Sequence, residues 1–540
     1  MPKKTRVRSL QRLCLENVAG HMHQIWVKAY VENHPEEHNF HSVTGPFSEL
    51  PGVVVEELLQ LLGERKRLSR PVLRLLLVPQ LTVLNLGRCK RVVNKAIAQI
   101  IKVRCKILSS LDLQGCSRIS VGALVDLMKA LPCLTKLSLL KTRCNAQVLS
   151  AVGSCCQRLR ELDISFCHRV SPGSLLHLAY DQATDSLCCP ALQVLKVLAV
   201  NSRPLSQDLV WPVVFVLLAL PSLTFLEVDF VPEAVYLIHA QQFGIAPLAP
   251  GFPSLEELAR CRIPTHTEEA RSCRVRLALK QMHHVTFSLL PVACAVCPQL
   301  ATVSVLLGGG PALVQSFVSW RSLAHLSIDC CSGRNLTELL PVVASLKAQL
   351  QSLAFSGFTY EDEQSFCTLL GHCLNLQKFW ADLLPPANCA SDGKPVVEAL
   401  EWDNSSAPHE FPYLSDVYLV YSDWFDPISS RQEMVFTASL VSLLKHSPCL
   451  EILRLCCLPF SLDGVFEEVL KPQGTALVHL RRLSLLQVQV SSSTIHLLLS
   501  ADNQLSFLDL HSCMAIHETD YDDFLRRVSN EGFELTILWE

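Results

Sequence analysis

The sequence predicts an α/β fold, a leucine-rich-repeat solenoid with a curved parallel sheet and outer helices, preceded by a small N-terminal helical domain. Three observations carry that expectation. A Leu-x-x-Leu-x-Leu pattern recurs after about residue 78, stretches with helical apolar period lie between the copies, and the first 75 residues read as helices without a copy. With 540 residues, 49% hydrophobic and 18% charged, the chain has the apolar content that a folded array of this length needs.

The first element is a helix starting at Leu10, with Ser9 placed to cap it. At about 100° per residue, Leu10, Cys14 and Val18 fall on one stripe. Leu15, Ala19, Met22 and Trp26 fall on another, about a third of a turn away. One stripe is expected to pack against the body while the other stays open; the plain alternative buries both in a cap on the first repeat. A second helix is expected from Pro51, which suits a first helical position, with Val54 and Leu58 on one face. Gly52 is out of place there, being a weak helix former. These elements make a region of residues 1–75, and the repeats occupy 76–540.

The repeats open as LTVLNLGRC at 81, LSSLDLQGC at 108, LTKLSLLKT at 134 and LRELDISFC at 159, about 25 to 27 residues apart. They continue as LQVLKVLAV, LTFLEVDF and LATVSVLL, then LAHLSIDCC, LQSLAFSG, LQKFWADL and LSDVYLVY. LEILRLCC, LRRLSLLQV and LSFLDLHSC follow, and FELTILW reads as a closing strand. In each copy the alternating leucines point inward from a short strand, and the residues between them face outward. Helices such as VGALVDLMKALP (121–132) return the chain to the next strand. No single unit buries its leucines, so neighbours must stack. Two stretches read as excursions: 231–299, with one weak copy LEELARCRI at 255, and 382–412, rich in Pro, Ser, Asn and Asp.

Several chemistries are not expected. A net charge of -3 gives no basis for nucleic-acid binding. The basic start MPKKTRVR is followed by a polar helical segment rather than the apolar core of a signal peptide. The most apolar stretch, 209–223, contains Pro212 and is too short to span a bilayer, so no membrane is expected. Twenty-four cysteines without a secretory signal point to free thiols and a cytoplasmic or nuclear location.

Cys261, His266, Cys273, His283, His284, Cys294 and Cys297 invite a metal reading, but the repeat accounts for such cysteines better. Cys297 precedes a strand as Cys133, Cys189, Cys373 and Cys449 do. Cys89, Cys116, Cys167, Cys331 and Cys513 fill the slot after Leu-x-Leu, where a small, weakly polar side chain is buried. No metal and no cofactor are therefore expected. LLGGGPALV (306–314) lacks the Gly-Lys-Ser/Thr of a phosphate loop and reads as a turn. The acids of ETDYDDF (518–524) lack calcium-loop spacing and read as a solvated face. No nucleophile–base arrangement stands out, so catalysis by the chain itself is not expected.

A resemblance rests on two short motifs. SLQRLCLENV (9–18) resembles the BC box, Ser/Thr-Leu-x-x-x-Cys-x-x-x-aliphatic, by which receptors of the elongin-BC class hold elongin C. LPGVVVEEL (50–58) is similar to a cullin-2 box filled by Leu50, Pro51, Val54 and Leu58. Together they resemble a VHL box followed by leucine-rich repeats. The resemblance implies a non-catalytic substrate receptor of a cullin-2 RING ubiquitin ligase, with elongin C, elongin B, and cullin-2 with its RING subunit as partners. Leu10, Cys14 and Val18 would meet elongin C, and the four residues of the second box would meet the cullin.

Two alternatives stay open. LPGVVVEELLQLL also resembles the opening of an F-box, which implies a different adaptor and a cullin-1 ligase, and a plain repeat scaffold needs no adaptor.

The protein target is unknown, and the outward strand positions are expected to hold it. They include Asp112, Glu161, Asp163, Glu227 and Asp229 early, with Asp329 further on. Later positions are Lys378, Arg454 and Arg482, with aromatics Phe225, Trp380, Tyr418 and Phe507. This suggests a target segment that is basic toward the first half and has an apolar anchor further along.

Overall fold

The structure is a computed structural model. It describes residues 9–33, 45–199, 209–243, 248–262, 275–308, 317, 320–359, 365–384, 410–422, 430–470 and 476–539. The chain forms two compact units, one built on residues 8–283 and 292–299, the other on 284–291 and 300–540. Both are stacks of leucine-rich repeats, with parallel strands joined by helices.

The first unit begins with helix α1 (Leu10–His21), where the Ser9 hydroxyl accepts a hydrogen bond from the Arg12 amide at 3.2 Å. A π-helical turn (Met22–Val27) leads to α2 (Lys28–Asn33). The wider turn keeps Met22 and Tyr30 buried, with Trp26 half-buried and edge-on to Phe47 at 5.3 Å. Helices α3 (Gly52–Glu64) and α4 (Arg70–Leu76) follow. Val55, Leu58, Leu59 and Leu62 of α3 are buried, as are Val72, Leu73, Leu75 and Leu76 of α4. These helices belong to the same compact unit as the first strands.

The sheet of this unit contains β1 (Val83–Asn85), β2 (Ser110–Asp112), β3 (Lys136–Ser138) and β4 (Glu161–Asp163). After an antiparallel ribbon of β5 (Tyr180–Asp181) and β6 (Ser186–Leu187), β7 (Val194–Lys196) and β8 (Phe225–Glu227) complete it. The order is β1-β2-β3-β4-β7-β8 and every pairing is parallel. Leu84, Leu111, Leu137, Leu162, Leu195 and Leu226 lie in one register row, all buried. Each leucine is covered by those of the adjacent repeats, which is why the period of the sequence translates directly into the stack. The apolar stretch at 209–223 supplies a core helix (Val210–Ala219), with Pro212 in its first turn where no helical bond is lost. No described helix is long and apolar enough to cross a membrane.

The second sheet has the order β18 to β9. Its strands are β9 (Gln281–Thr286), β10 (Thr302–Leu307), β11 (His325–Asn335), β12 (Ser352–Thr359), β13 (Lys378–Leu384) and β14 (Asp416–Tyr421). They continue with β15 (Ile452–Cys456), β16 (Arg482–Leu486), β17 (Phe507–Asp509) and β18 (Thr536–Leu538), the last formed by the expected closing segment. Val303, Leu326, Leu353, Phe379, Val417, Leu453, Leu483, Leu508 and Ile537 form its buried row.

Strand β9 and the helix after it (Leu290–Val296) correct the reading of 231–299 as an excursion, because they form a further repeat. Met282 replaces one leucine of the pattern there, and His284, exposed at φ 55°, shifts the next buried side chain by one residue to Val285, which hides the pattern. LEELARCRI is not a repeat strand; Leu255–Cys261 is a helix, capped by reciprocal hydrogen bonds between Ser254 and Glu257. In the other expected excursion, residues 385–409 lie outside the described residues, as do 309–316 of the glycine-rich segment.

The cysteines follow the repeat, with two corrections. Cys116, Cys167 and Cys513 are buried and donate to the carbonyls of Leu86, Leu139 and Leu485 in the preceding repeat, at 3.9, 3.0 and 3.0 Å. Cys331 is exposed, because β11 runs on through the place where the other repeats turn, and Cys330 is buried instead. Before the strands, the buried site lies three residues ahead of the first leucine, as at Cys189, Cys297 and Cys373. Cys133 and Cys449 lie one residue ahead and are not buried; Leu131 and Ser447 take the inner site.

Candidate adaptor-binding helix and sheet face

Helix α1 has two sides of different fate. Leu15, Ala19 and Met22 are buried, whereas Leu10 is 77% exposed, Cys14 is exposed and Val18 is half-buried. Leu13, 47% exposed, and Ile25, also exposed, widen the open stripe. The sequence reading missed both, although Leu13 stands three residues from Leu10, on the same face. Polar contacts hold α1 on α3. Gln11 donates to Glu57 at 2.9 Å, and Glu16 meets Arg12 at 3.3 Å and Arg65 at 3.7 Å. Glu64 meets Arg88 at 3.4 Å and Arg12 at 3.9 Å. A hydrogen bond from Gln60, then these cations, hold the Glu64 carboxyl below its ordinary pKa. Exposed pairs such as these are screened by water and add little stability.

The second box divides. Pro51 is exposed, and Leu50 and Val54 are half-buried, so all three reach the surface. Leu58 departs from the expected pattern. It is 1% exposed, inside the core between α3 and the first repeat, and offers nothing to a partner. Pro51 is the capping residue and not the first helical one. Gly52 has a packing reason, since a Cβ there would stand 2.3 Å from the Gln80 carbonyl oxygen. Glu56 turns to β1 and accepts from the Thr82 amide, the Thr82 hydroxyl and the Val83 amide, each at 2.9 Å. It thereby covers part of a strand edge that would otherwise stay unpaired. A groove of about 440 Å³ lies beside it, lined in part by Val53, Glu57, Leu59, Val83 and Arg88.

On the outer face of the first sheet the carboxylates are already engaged. Asp112 and Asp163 accept from the amides of Gln114 and Ser165, two residues on, at 2.8 and 3.0 Å. Glu161 pairs with Lys136 at 2.6 Å and Glu227 with Lys196 at 3.7 Å. Asp229 is exposed. Two of these five carboxylates, Glu161 and Glu227, thus have a lysine beside them, whereas Asp112 and Asp163 accept only from backbone amides.

The second sheet brings Trp380 and Tyr418 together as register partners, with rings stacked 5.9 Å apart at 16°. Arg454, the next residue in that row, lies over Tyr418 at 5.1 Å and reaches Asp416 at 2.8 and 3.0 Å. Burial, foremost, raises the Tyr418 hydroxyl to about 12. Arg482 lies over Phe507 at 4.8 Å.

No family model and no curated protein matches the chain. Among solved structures it is similar to the yeast structure described as a complex of Rad7 and Elc1, at 14% identity and TM-score 0.39, covering 98% of this chain and 93% of that one. It is also similar to a leucine-rich-repeat protein of Leptospira interrogans, at 12% identity and TM-score 0.31, covering 92% and 100%. Neither likeness is close enough to assign a role.

For the metal reading, no group of three ligating side chains comes together among the described residues, and His266 and Cys273 lie outside them.

Proposed function

We propose that the chain is the substrate-recognition subunit of a cullin-2 RING ubiquitin ligase. It binds elongin B/C through α1 and holds target proteins on its repeats. One observation carries the reading: the motif side chains Leu10 and Cys14, with Val18 beside them, stand on the open side of a helix whose other side is buried. An isolated exposed leucine is ordinary. Here the exposed residues share one stripe, one turn apart, in the BC-box pattern. In this reading Leu10 fills an apolar pocket of elongin C, small Cys14 lets the two helices approach closely, and Val18 extends the ridge. Leu50, Pro51 and Val54 are the surface left for cullin-2. The chain performs no chemistry; ubiquitin transfer belongs to the enzyme brought by the RING subunit, and the gain is effective concentration. Its free thiols suit the cytoplasm or nucleus.

The test is capture of elongin C by the full chain and by a Leu10→Ala/Cys14→Ala variant. Truncating a central apolar anchor costs about 2 kcal/mol or more, which is about a thirtyfold loss of affinity. Elongin C held by the unaltered chain and lost by the variant supports the proposal. Equal capture by both, capture by neither, or capture of the F-box adaptor instead overturns it.

A further inference from the structure

The outer face of the second sheet changes character between β12 and β13. In one register row, Ser304, Ser327 and Ala354 on β10, β11 and β12 are followed by Trp380, Tyr418 and Arg454 on β13, β14 and β15. Within one strand spacing, about 4.8 Å, a shelf of small side chains meets a wall of rings. Trp380, 38% exposed, rests one ring face on Tyr418. Its other neighbour in the row is Ala354, which is too short to cover it.

Apart from Asp416, the register partner of Lys378, which is paired with Arg454, charge is separated along the strands on either side of this step. Two residues earlier on the same face stand His325 of β11 and Lys378 of β13, and Lys378 is exposed with no ion pair among the described residues. Two residues later stand Asp329 and Asp382. Asp329 accepts a hydrogen bond from the Ser356 hydroxyl at 2.9 Å and Asp382 accepts one from Ser422, and neither has a cationic partner among the described residues. Lys378, Trp380 and Asp382 are thus spaced two residues apart on one face, about 6.6 Å per step. An extended peptide presents alternate side chains at that same spacing.

We propose that this shelf binds an extended protein segment through an aromatic side chain laid on the free face of Trp380. Two residues to either side of that aromatic, the segment carries one acidic residue, which meets Lys378, and one basic residue, which meets Asp382 and Asp329. The inference deepens the reading of the repeats as the target-holding surface and rests on it. Ring stacking and two opposite ion pairs at fixed spacing make recognition depend on the pattern, since a like charge at either flank repels.

The experiment pans a random heptapeptide library against the immobilised full chain and two variants, Ala354→Leu and Lys378→Glu. The unaltered chain should enrich aromatics flanked at two residues by one acid and one base, in either direction, at least tenfold over aromatics flanked by two like charges. Ala354→Leu fills the shelf and should abolish the enrichment. Lys378→Glu, at an exposed site, should convert the preference to two basic flanks. Enrichment that ignores flanking charge, or a recovered pool unchanged by both variants, overturns the inference. Elongin C capture by the same three proteins reports on the adaptor reading separately, because α1 is unaltered in each.

Discussion

Gly52 and Glu56 show how single residues tie the N-terminal helices to the first repeat. Gln80 donates its side-chain amide to the carbonyls of Ser48 and Leu50 at 2.7 and 2.6 Å, so its own backbone cannot retreat from a new methyl group. Gly52→Ala is therefore expected to destabilise the chain by about 1–3 kcal/mol, read as a lower thermal midpoint, although alanine is the better helix former. Glu56→Ala strips three hydrogen bonds to a charged acceptor from the β1 edge. It should cost about 1–2 kcal/mol in the same measurement, less than a fully buried set would because water reaches the site. Cysteine chemistry gives a residue-level check on the adaptor. Burial pushes the thiols of Cys105, Cys116, Cys156 and Cys373 up to about 12, so they should resist N-ethylmaleimide while exposed Cys14 reacts. Bound elongin C should slow the labelling of Cys14 at least tenfold; unchanged labelling in the complex would place the adaptor elsewhere.

Elements were legible where a local period decides their burial. The two stripes of α1 follow from helical spacing, and the Ser9 cap from its side-chain chemistry. LEELARCRI misleads because Leu-x-x-Leu satisfies both a repeat strand and the i, i+3 spacing of a helix. The Ser254–Glu257 capping pattern was the signal that separates them. Strand β9 stayed hidden because Met282 replaces one leucine and the exposed, positive-φ residue His284 moves the next inward position to Val285.

Burial raises the Asp463 carboxyl, but hydrogen bonds from the Ser491 amide and the Thr494, Ser491 and Ser461 hydroxyls outweigh it, leaving the pKa below the ordinary value. A depressed carboxyl contributes stability that is fully present above its unfolded pKa and lost as pH falls through the folded value. Asp463→Asn should lower the urea midpoint at pH 6 and narrow the gap to the unaltered chain near pH 3.

At the scale of the whole molecule, each row of apolar side chains is continuous within its own unit, so damage at one rung removes cover from the rungs beside it. Leu111→Ala, in the row of the first sheet, should cost about 2–5 kcal/mol in denaturant unfolding. A loss below 1 kcal/mol would mean that the rungs are not sharing their cover. The sequence alone determined that the chain is a repeat array and where most inner leucines lie, because a short repeat cannot bury its own apolar face and must stack at its own period. That α1 keeps Leu10 open while Leu58 is sealed follows from packing between distant segments. Tertiary contacts likewise pair Glu161 with Lys136 and Glu227 with Lys196 and leave Trp380 beside a gap. Each of those outcomes depends on neighbours tens of residues away, which no local spacing records.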